Sequence, residues 1–469
     1  MWIRKRADSL SEAASNTALL PRAWSDPERA LTYGSRTYSG ADLSDVATSI
    51  ATSLRAVARP RGFVAVDVES PDLFVGALEA AVRVGAGVLP LQRQLPQRMR
   101  TRLLDQVRPT QIVFEDDGAP VVEQYGNASV GNQASSDLAL LTSGSRGAPS
   151  VVYRTWQSML IDRSLNPEVW FTTFPLGSIS GLTILVRSIF SGAHLKIPQT
   201  ADSRSIVSLF ETEPVPSMCV VPPHVAEALA RLVPREILCR LKVLGVGGAP
   251  VSSKQAAALR TIPARVVVGY GTTEIGAGVI VGDLSEPVGG SHIALTTGTA
   301  VPGVQVSIRR PDDTVIVSPE ETGVLWCRSM RSSQAPEAWV ETGDLARWTS
   351  NGAVVIVGRA DGSILRGDAV VNVETIEEVL LSVPGVEEAV VTVTNVRRGD
   401  LAAVVRGAAE ISASMLRDEL ALRLLPAEVP QHIVVAPADE PLRNASGKIP
   451  LFRIEQLLRS SIRSGDDGH

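Results

Sequence analysis

Between Leu31 and Leu91 short apolar runs alternate with amphipathic stretches, and this alternation restricts the chain to a layered α/β arrangement. The segment LTYGSRTYSGADLSDVATSIATSL, from Leu31 to Leu54, reads as a short hairpin followed by a helix capped near Ser39, with apolar residues at helical spacing. Gly62 to Val68 follows as a buried strand, Leu73 to Val82 as a helix, and Gly85, Ala86 and Gly87 lead into a further apolar run from Val88 to Leu91. Successive strands joined through helices pack as a parallel sheet with helical layers. At 469 residues, 44% of them apolar, the chain is long enough for two to four domains with sizeable cores. This first region is scaffold.

Chemistry enters at TSGSRGAPS, Thr142 to Ser150, which lies between the apolar runs Leu138–Leu141 and Val151–Tyr153 and reads as a glycine-rich turn between two strands. Gly144 and Gly147 permit unusual backbone, Thr142, Ser143 and Ser145 supply hydroxyls, and Arg146 supplies a cation, so the loop can wrap a polyphosphate. An ordinary surface turn has the same composition. It is not a Walker loop, because no Gly-Lys-Ser/Thr closes it and no helix pattern follows. The net charge of −5 and pI near 5.7 provide no general basic field for nucleic acid or an anionic membrane, so phosphate binding has to be local.

Further along, FTTFPLGSISGLTILVRSIFSGAHL (Phe171 to Leu195) reads as a turn from Pro175 to Gly181, an amphipathic helix from Leu182 to Phe190, and a strand. Strand-like Lys242 to Leu244 runs into GVGGAP (Gly245 to Pro250), a weak match to a dinucleotide fingerprint. Val266 to Val268 ends in GYGTTEIG (Gly269 to Gly276). There Tyr270 can stack on a base, Thr272 and Thr273 can bond phosphate, and Glu274 can hold Mg²⁺, although a Thr-Thr-Glu run also suits a helix N-cap. Val304 to Trp326 suggests a small β-rich subdomain; ETGDLARW then places Asp344 after a Thr-Gly turn, and GRADGS follows at Gly358. The remainder reads as a compact α/β unit: helix Ile376 to Leu381, strands Glu388 to Val393 and Leu401 to Val405, and helix Met415 to Leu424. It ends in PLRNASGKIP and a polar tail, SGDDGH.

In order and spacing these motifs resemble the adenylate-forming superfamily of acyl-CoA synthetases, luciferases and peptide-synthetase adenylation domains, over nearly the whole chain. The Phe171–Leu195 stretch is most similar to o-succinylbenzoate-CoA ligases. The resemblance implies a large N-terminal domain of layered α/β subdomains with a small β-rich subdomain (residues 1–360), and a mobile, smaller α+β C-terminal lid (361–469). It assigns the loop Thr142–Gly147 to the β and γ phosphates of ATP. Gly247, Gly248 and Ala249 would pack against adenine and the acyl group, with Ser178 at the acyl pocket. Tyr270, Gly271, Thr272, Thr273 and Glu274 match the Tyr-Gly-x-Thr-Glu pattern, with Glu274 on Mg²⁺ and Thr273 in the catalytic set. Asp344 would bind the ribose hydroxyls, Arg359 would be a second ribose or phosphate contact, Asp361 the hinge, and Lys448 the catalytic lysine.

The implied chemistry is attack of a carboxylate oxygen on the α-phosphorus of ATP, loss of pyrophosphate, and transfer of the acyl group to coenzyme A or a carrier-protein thiol. Lys448 would bridge the substrate oxygen and α-phosphate when the lid closes and withdraw by rotation at Asp361. Peptide-synthetase domains carry an aspartate near the Pro175 turn that pairs with an amino group; none stands in this turn, which speaks against an α-amino acid substrate.

Several positions depart from the pattern. Ser150 replaces the lysine after the loop's proline, Ser178 replaces a histidine, Trp156 follows Thr155 where Thr-His is usual, and Leu365 and Thr375 replace a lysine and a glutamate near the hinge. These changes bear more on the thioester step than on adenylation. A secondary-metabolism ligase with an amine acceptor, including a diazotase type that activates nitrite, is therefore a second expectation. A catalytically silent nucleotide-binding homologue is a third, opposed by the retention of Glu274, Asp344, Arg359 and Lys448 together.

Cys219, Cys239 and Cys327 form no CxxC spacing, the five histidines are scattered, and neither a signal peptide nor a bilayer-length apolar run is visible, so the expected setting is cytoplasmic.

Overall fold

The structure is a computed structural model that describes residues 30–55, 62–91, 97–126, 136–141, 151–159, 167–200, 202–249, 251–284, 293–294, 297–310, 313–319, 321–333, 338–360, 363–366, 369–395, 400–424, 428–444, 449–450 and 452–458. Its frame is two large sheets with helices between them, followed by a small three-stranded sheet near the C-terminus. In the six-stranded sheet, Phe63–Asp67 runs parallel to both Gly87–Pro90 and Gln111–Asp116, and Leu138–Leu141 continues the parallel set beside Gly87–Pro90. Antiparallel strands Ala119–Gln124 and Val151–Arg154 close its two edges. The expected pair flanking the glycine-rich segment is therefore a hairpin, Leu138–Leu141 against Val151–Arg154.

The opening hairpin, Ala30–Tyr33 with Arg36–Ser39, leads into helix Gly40–Arg55 as expected. Ser39 caps it reciprocally: the Ser39 backbone N–H donates to Asp42 Oδ2 at 2.7 Å, and the Asp42 N–H donates to Ser39 Oγ at 3.2 Å. Helix Pro71–Val84 is buried along most of its length, which is why its sequence is apolar on nearly every face. Together with helix Ile179–Ser191 these helices share one core cluster that includes Val64 and Val66 of the six-stranded sheet and Trp170 and Leu195 of the larger one.

The larger sheet has thirteen strands. Its parallel block contains Ala30–Tyr33, His194–Ile197, Val169–Thr172, Met218–Val221, Val243–Gly247 and Arg265–Thr272. From Arg265–Thr272 it turns antiparallel through Gly276–Asp283, Thr297–Ala300, Val354–Arg359, Val340–Trp348, Thr322–Ser329 and Val304–Arg309. The β-rich region expected from Val304 onward thus continues the main sheet through Thr297–Ala300, because that strand pairs with Gly276–Asp283 on one side and Val354–Arg359 on the other. It keeps a core of its own around Ile275, Val279, Ile308, Leu325 and Cys327.

The last sheet holds Val386–Asn395, Asp400–Gly407 and His432–Val435, with helices Val373–Ser382 and Ala413–Ala421 packed in the same core cluster. Sequence periodicity located the first two strands and both helices; it missed His432–Val435, whose four residues are too few to display a period.

Candidate active site

The nucleotide-like motif at Gly269 is a hairpin rather than a helix start. Arg265–Thr272 runs past the expected strand end, and Gly276–Asp283 returns antiparallel, leaving Thr273, Glu274 and Ile275 at the tip. The register shifts between Tyr270 and Thr272, so Gly271 sits in an irregular step of the ladder. A Cβ on Gly271 would lie 2.2 Å from the carbonyl oxygen of Gly276, so the close strand approach excludes any side chain there. Gly276 itself adopts φ +104°, a conformation open to glycine. Ile275 is fully buried in the β-rich core and anchors the tip from below. Thr273 is buried, Glu274 is half-buried, and the buried Thr272 Oγ1 has no hydrogen-bond partner among the described residues.

Asp344 comes from a distant segment. The expected Thr-Gly turn before it proves to be a step inside strand Val340–Trp348: Gly343 takes φ +71°, the Asp344 N–H donates to Thr342 Oγ1 at 3.1 Å, and the register shifts between Leu345 and Ala346. Asp344 is 7% exposed and faces Tyr270, whose hydroxyl donates to Asp344 Oδ2. Burial, followed by the Asp344 charge and hydrogen bond, pushes the Tyr270 phenol well above its ordinary range, so it acts as a donor. Arg359 pairs with Asp344 across the ladder, which brings these two residues and Tyr270 to one region of the sheet.

Gly247 ends strand Val243–Gly247 beside Gly269 of the hairpin strand, and a Cβ on Gly247 would fall 2.9 Å from the Gly269 carbonyl oxygen. Gly248, with φ +82°, and Ala249 continue from it at the same end of the parallel block. Ser178 has a structural duty: its Oγ accepts from the Gly181 N–H at 3.1 Å and donates to the Pro175 carbonyl at 2.7 Å, capping a helix that begins at Ile179, three residues earlier than its apolar spacing suggests. Trp156, at the other altered position, is 3% exposed within the core cluster between the sheets. The loop Thr142–Gly147 with Ser150, the hinge position Asp361 and the lysine Lys448 lie outside the described residues.

Two arginines that the motifs did not single out complete the surroundings of the tip. Arg154, 2% exposed at the end of the strand after the glycine-rich segment, donates from Nη1 to the Thr273 carbonyl at 2.7 Å and from Nη2 to the Arg331 carbonyl. Arg331, 3% exposed, donates from Nη1 to the Gly278 carbonyl at 3.3 Å. The Ser333 N–H donates to the Glu274 carbonyl at 2.8 Å. Single arginines outside any motif carry no sequence signal of burial.

A long mixed sheet carries this hairpin, with a strand-borne aspartate beside its tyrosine. The chain belongs to the AMP-binding enzyme family, whose model matches residues 22–333. Among curated relatives it is similar to a 2-succinylbenzoate–CoA ligase of Bacillus cereus (strain Q1), 25% identical over 94% of this chain and 98% of the relative. It is also similar to the medium-chain fatty-acid–CoA ligase of Escherichia coli (strain K12), 26% identical over 80% of this chain and 70% of that protein. Among solved structures, the o-succinylbenzoate coenzyme A synthetase of Bacillus subtilis in complex with AMP aligns with TM-score 0.76 at 20% identity, covering 94% of this chain and 98% of that one. ATP-bound MatB from Rhodopseudomonas palustris aligns with TM-score 0.74 at 19% identity, covering 94% and 98%. These two likenesses establish the fold. Among the described residues no helix is long and apolar enough to cross a membrane.

Proposed function

We propose that this protein is an ATP-dependent ligase that activates a carboxylic acid as its acyl adenylate, releases pyrophosphate and passes the acyl group to coenzyme A. The observation that carries the reading is the convergence of Tyr270 and Asp344, 74 residues apart in sequence, at the hairpin bearing Thr272, Thr273 and Glu274. A buried carboxylate with two acceptor oxygens suits a ribose diol, and in this reading the Tyr270 ring stacks on the base. The relatives named as CoA ligases of 2-succinylbenzoate and medium-chain fatty acids support a carboxylic acid as the first substrate and coenzyme A as the acceptor.

The tip residues fit a hard divalent ion together with polar ligands, since the half-buried Glu274 carboxylate stands two residues from the buried Thr272 hydroxyl, which has no partner among the described residues. Glu274 would hold Mg²⁺, which when bound neutralises phosphate charge as pyrophosphate leaves. In this reading Asp344 and Arg359 orient ribose, the loop Thr142–Gly147 covers the phosphates, and Lys448 contributes its ammonium to the carboxylate and α-phosphate oxygens. Residues 361–469 act as the lid that delivers and withdraws Lys448 about Asp361.

The test is release of AMP and pyrophosphate from Mg·ATP across aryl, alkyl and dicarboxylic acids and nitrite, each with and without coenzyme A or an aryl amine. AMP release requiring both an acid and coenzyme A is the expected result. Release that ignores coenzyme A and proceeds with an amine would replace the thiol acceptor by an amine. Absence of any release together with absence of ATP binding would refute the enzyme reading.

A further inference from the structure

We propose that the outward face of strands Val304–Arg309, Thr322–Ser329 and Val340–Trp348 is a two-fold contact between two copies of this chain. The inward face of these strands forms the core around Ile308, Leu325 and Cys327, each fully buried. An antiparallel sheet covered on one face ordinarily turns polar residues outward on the other. Here the outward face carries Trp326 and, one residue before Val340, Trp339, both stacked with arginines. The Arg309 guanidinium carbon stands 4.6 Å from the Trp326 ring centroid and 5.1 Å from that of Trp339, and the Arg328 carbon stands 5.1 Å from Trp339. Val315, paired with Arg309, is 54% exposed, and Met330, two residues beyond Arg328, is 67% exposed. Tryptophan, arginine and methionine are the residues that concentrate in protein contacts. Stacking fixes both rings before any partner arrives, which lowers the entropy cost of association.

Charge identifies the occupant. Arg309 is neutralised within its own chain by Asp313, whose Oδ1 lies 2.8 Å from Nη1. Arg328 donates from Nε to the neutral Gln305 amide oxygen at 2.8 Å, and the exposed Glu341 carboxylate has no hydrogen bond or ion pair among the described residues. Glu341 lies opposite Trp326, and the same register carried one residue past Cys327 and Val340 sets Trp339 opposite Arg328. These four side chains mark the corners of a quadrilateral, with the tryptophans on one diagonal and the unmatched cation and carboxylate on the other. A two-fold axis along the tryptophan diagonal, in the plane of the contact, exchanges the other two corners. It sets each Arg328 over Glu341 of the second copy and each tryptophan over its own counterpart, the reciprocity of an isologous contact. The longest of the three strands has 9 residues. At about 3.3 Å per residue and about 4.8 Å between strands the face measures roughly 30 by 15 Å. That is about half of the roughly 800 Å² per partner in a standard interface, so the dimer is weak and concentration-dependent.

The experiment is sedimentation equilibrium of the full chain from about 1 to about 200 µM, for wild type, Arg328→Glu, Glu341→Arg and an equimolar mixture of the two variants, with thermal unfolding measured alongside. Wild type is expected to pass from monomer to dimer across that range. Each variant alone sets like charges against each other and should need at least about tenfold higher concentration to associate. The mixture should recover wild-type association to within about threefold, because each reciprocal pair is again of opposite charge. If Arg328→Glu fails to fold, Glu341→Arg alone decides, since the side chain it replaces is exposed. A wild type that stays monomeric throughout would overturn the proposal and leave the stacked rings a support of the sheet. Variants that associate as wild type does, or a mixture of folded variants that stays monomeric, would overturn it too. The contact uses no residue of the proposed nucleotide site, so it stands or falls independently of the reaction.

Discussion

Replacing Tyr270 with Phe isolates one atom of the site. The ring is retained, so any stacking on the base survives, while the hydroxyl that donates to Asp344 is removed. Asp344 is 7% exposed, so water replaces that donor poorly. A hydrogen bond to an ionised acceptor contributes about 1.5–3 kcal/mol. If that bond serves to hold the carboxylate for a ribose diol, the loss falls on nucleotide binding as roughly a 10- to 150-fold rise in Kd for Mg·ATP. The assay is isothermal titration with Mg·ATP and with its 2′,3′-dideoxy analogue, which cannot use the carboxylate. Wild type should prefer ATP, and Tyr270→Phe should shrink that preference while dideoxy-ATP binding changes by less than about threefold. A variant that binds both nucleotides more weakly by the same factor would refute the reasoning, as would one that melts earlier yet keeps the wild-type preference.

Lys448→Ala is expected to abolish acid-dependent AMP release while Mg·ATP binding, measured by titration, stays within about threefold of wild type. Gly271→Ala should lower unfolding stability by at least about 2 kcal/mol in a denaturant titration, because its Cβ would overlap the Gly276 carbonyl oxygen at 2.2 Å. Ser178→Ala removes a helix cap and should cost about 1 kcal/mol in the same assay, with the KM for the acid changing little. Lys196, 1% exposed with its ammonium on the carbonyls of Thr212 and Pro214, has its pKa lowered by burial to about 8. Between pH 8 and its ordinary value of about 10.4 the unfolded chain therefore binds the extra proton, so stability should rise with pH across that window in wild type more than in Lys196→Met.

What the sequence disclosed and what it concealed divide along the range of the interactions. Helix Gly40–Arg55, its Ser39 cap and the strand Phe63–Asp67 depend on neighbours a few residues away, and periodicity and capping chemistry located them. The pairing of Tyr270 with Asp344 depends on how a thirteen-stranded sheet brings together two strands that have three others between them in its order, and only the resemblance placed both residues in one site. Arg154 was invisible for the same reason. Its partners Thr273 and Arg331 lie 119 and 177 residues away, and a lone arginine in an apolar strand shows no sign of being buried. Ser178 illustrates the converse: a position read through the resemblance as part of the substrate pocket also has a local task, capping a helix, that its own sequence context specifies.

Register is what finally assembles the site. Because side chains alternate across a sheet, a slip of one residue in Val340–Trp348 would turn Asp344 to the opposite face and remove it from Tyr270. Irregular steps stand on three ladders of the sheet, between Tyr270 and Thr272, between Leu345 and Ala346, and between Val324 and Trp326. An irregular step breaks the translational equivalence that permits slippage and re-aims the residues beside it. Tyr270 and Asp344 both lie within one or two residues of such a step. The glycines at 271 and 343 contribute to this contact although they offer no side chain: each permits a local departure from regular strand beside Tyr270 or Asp344.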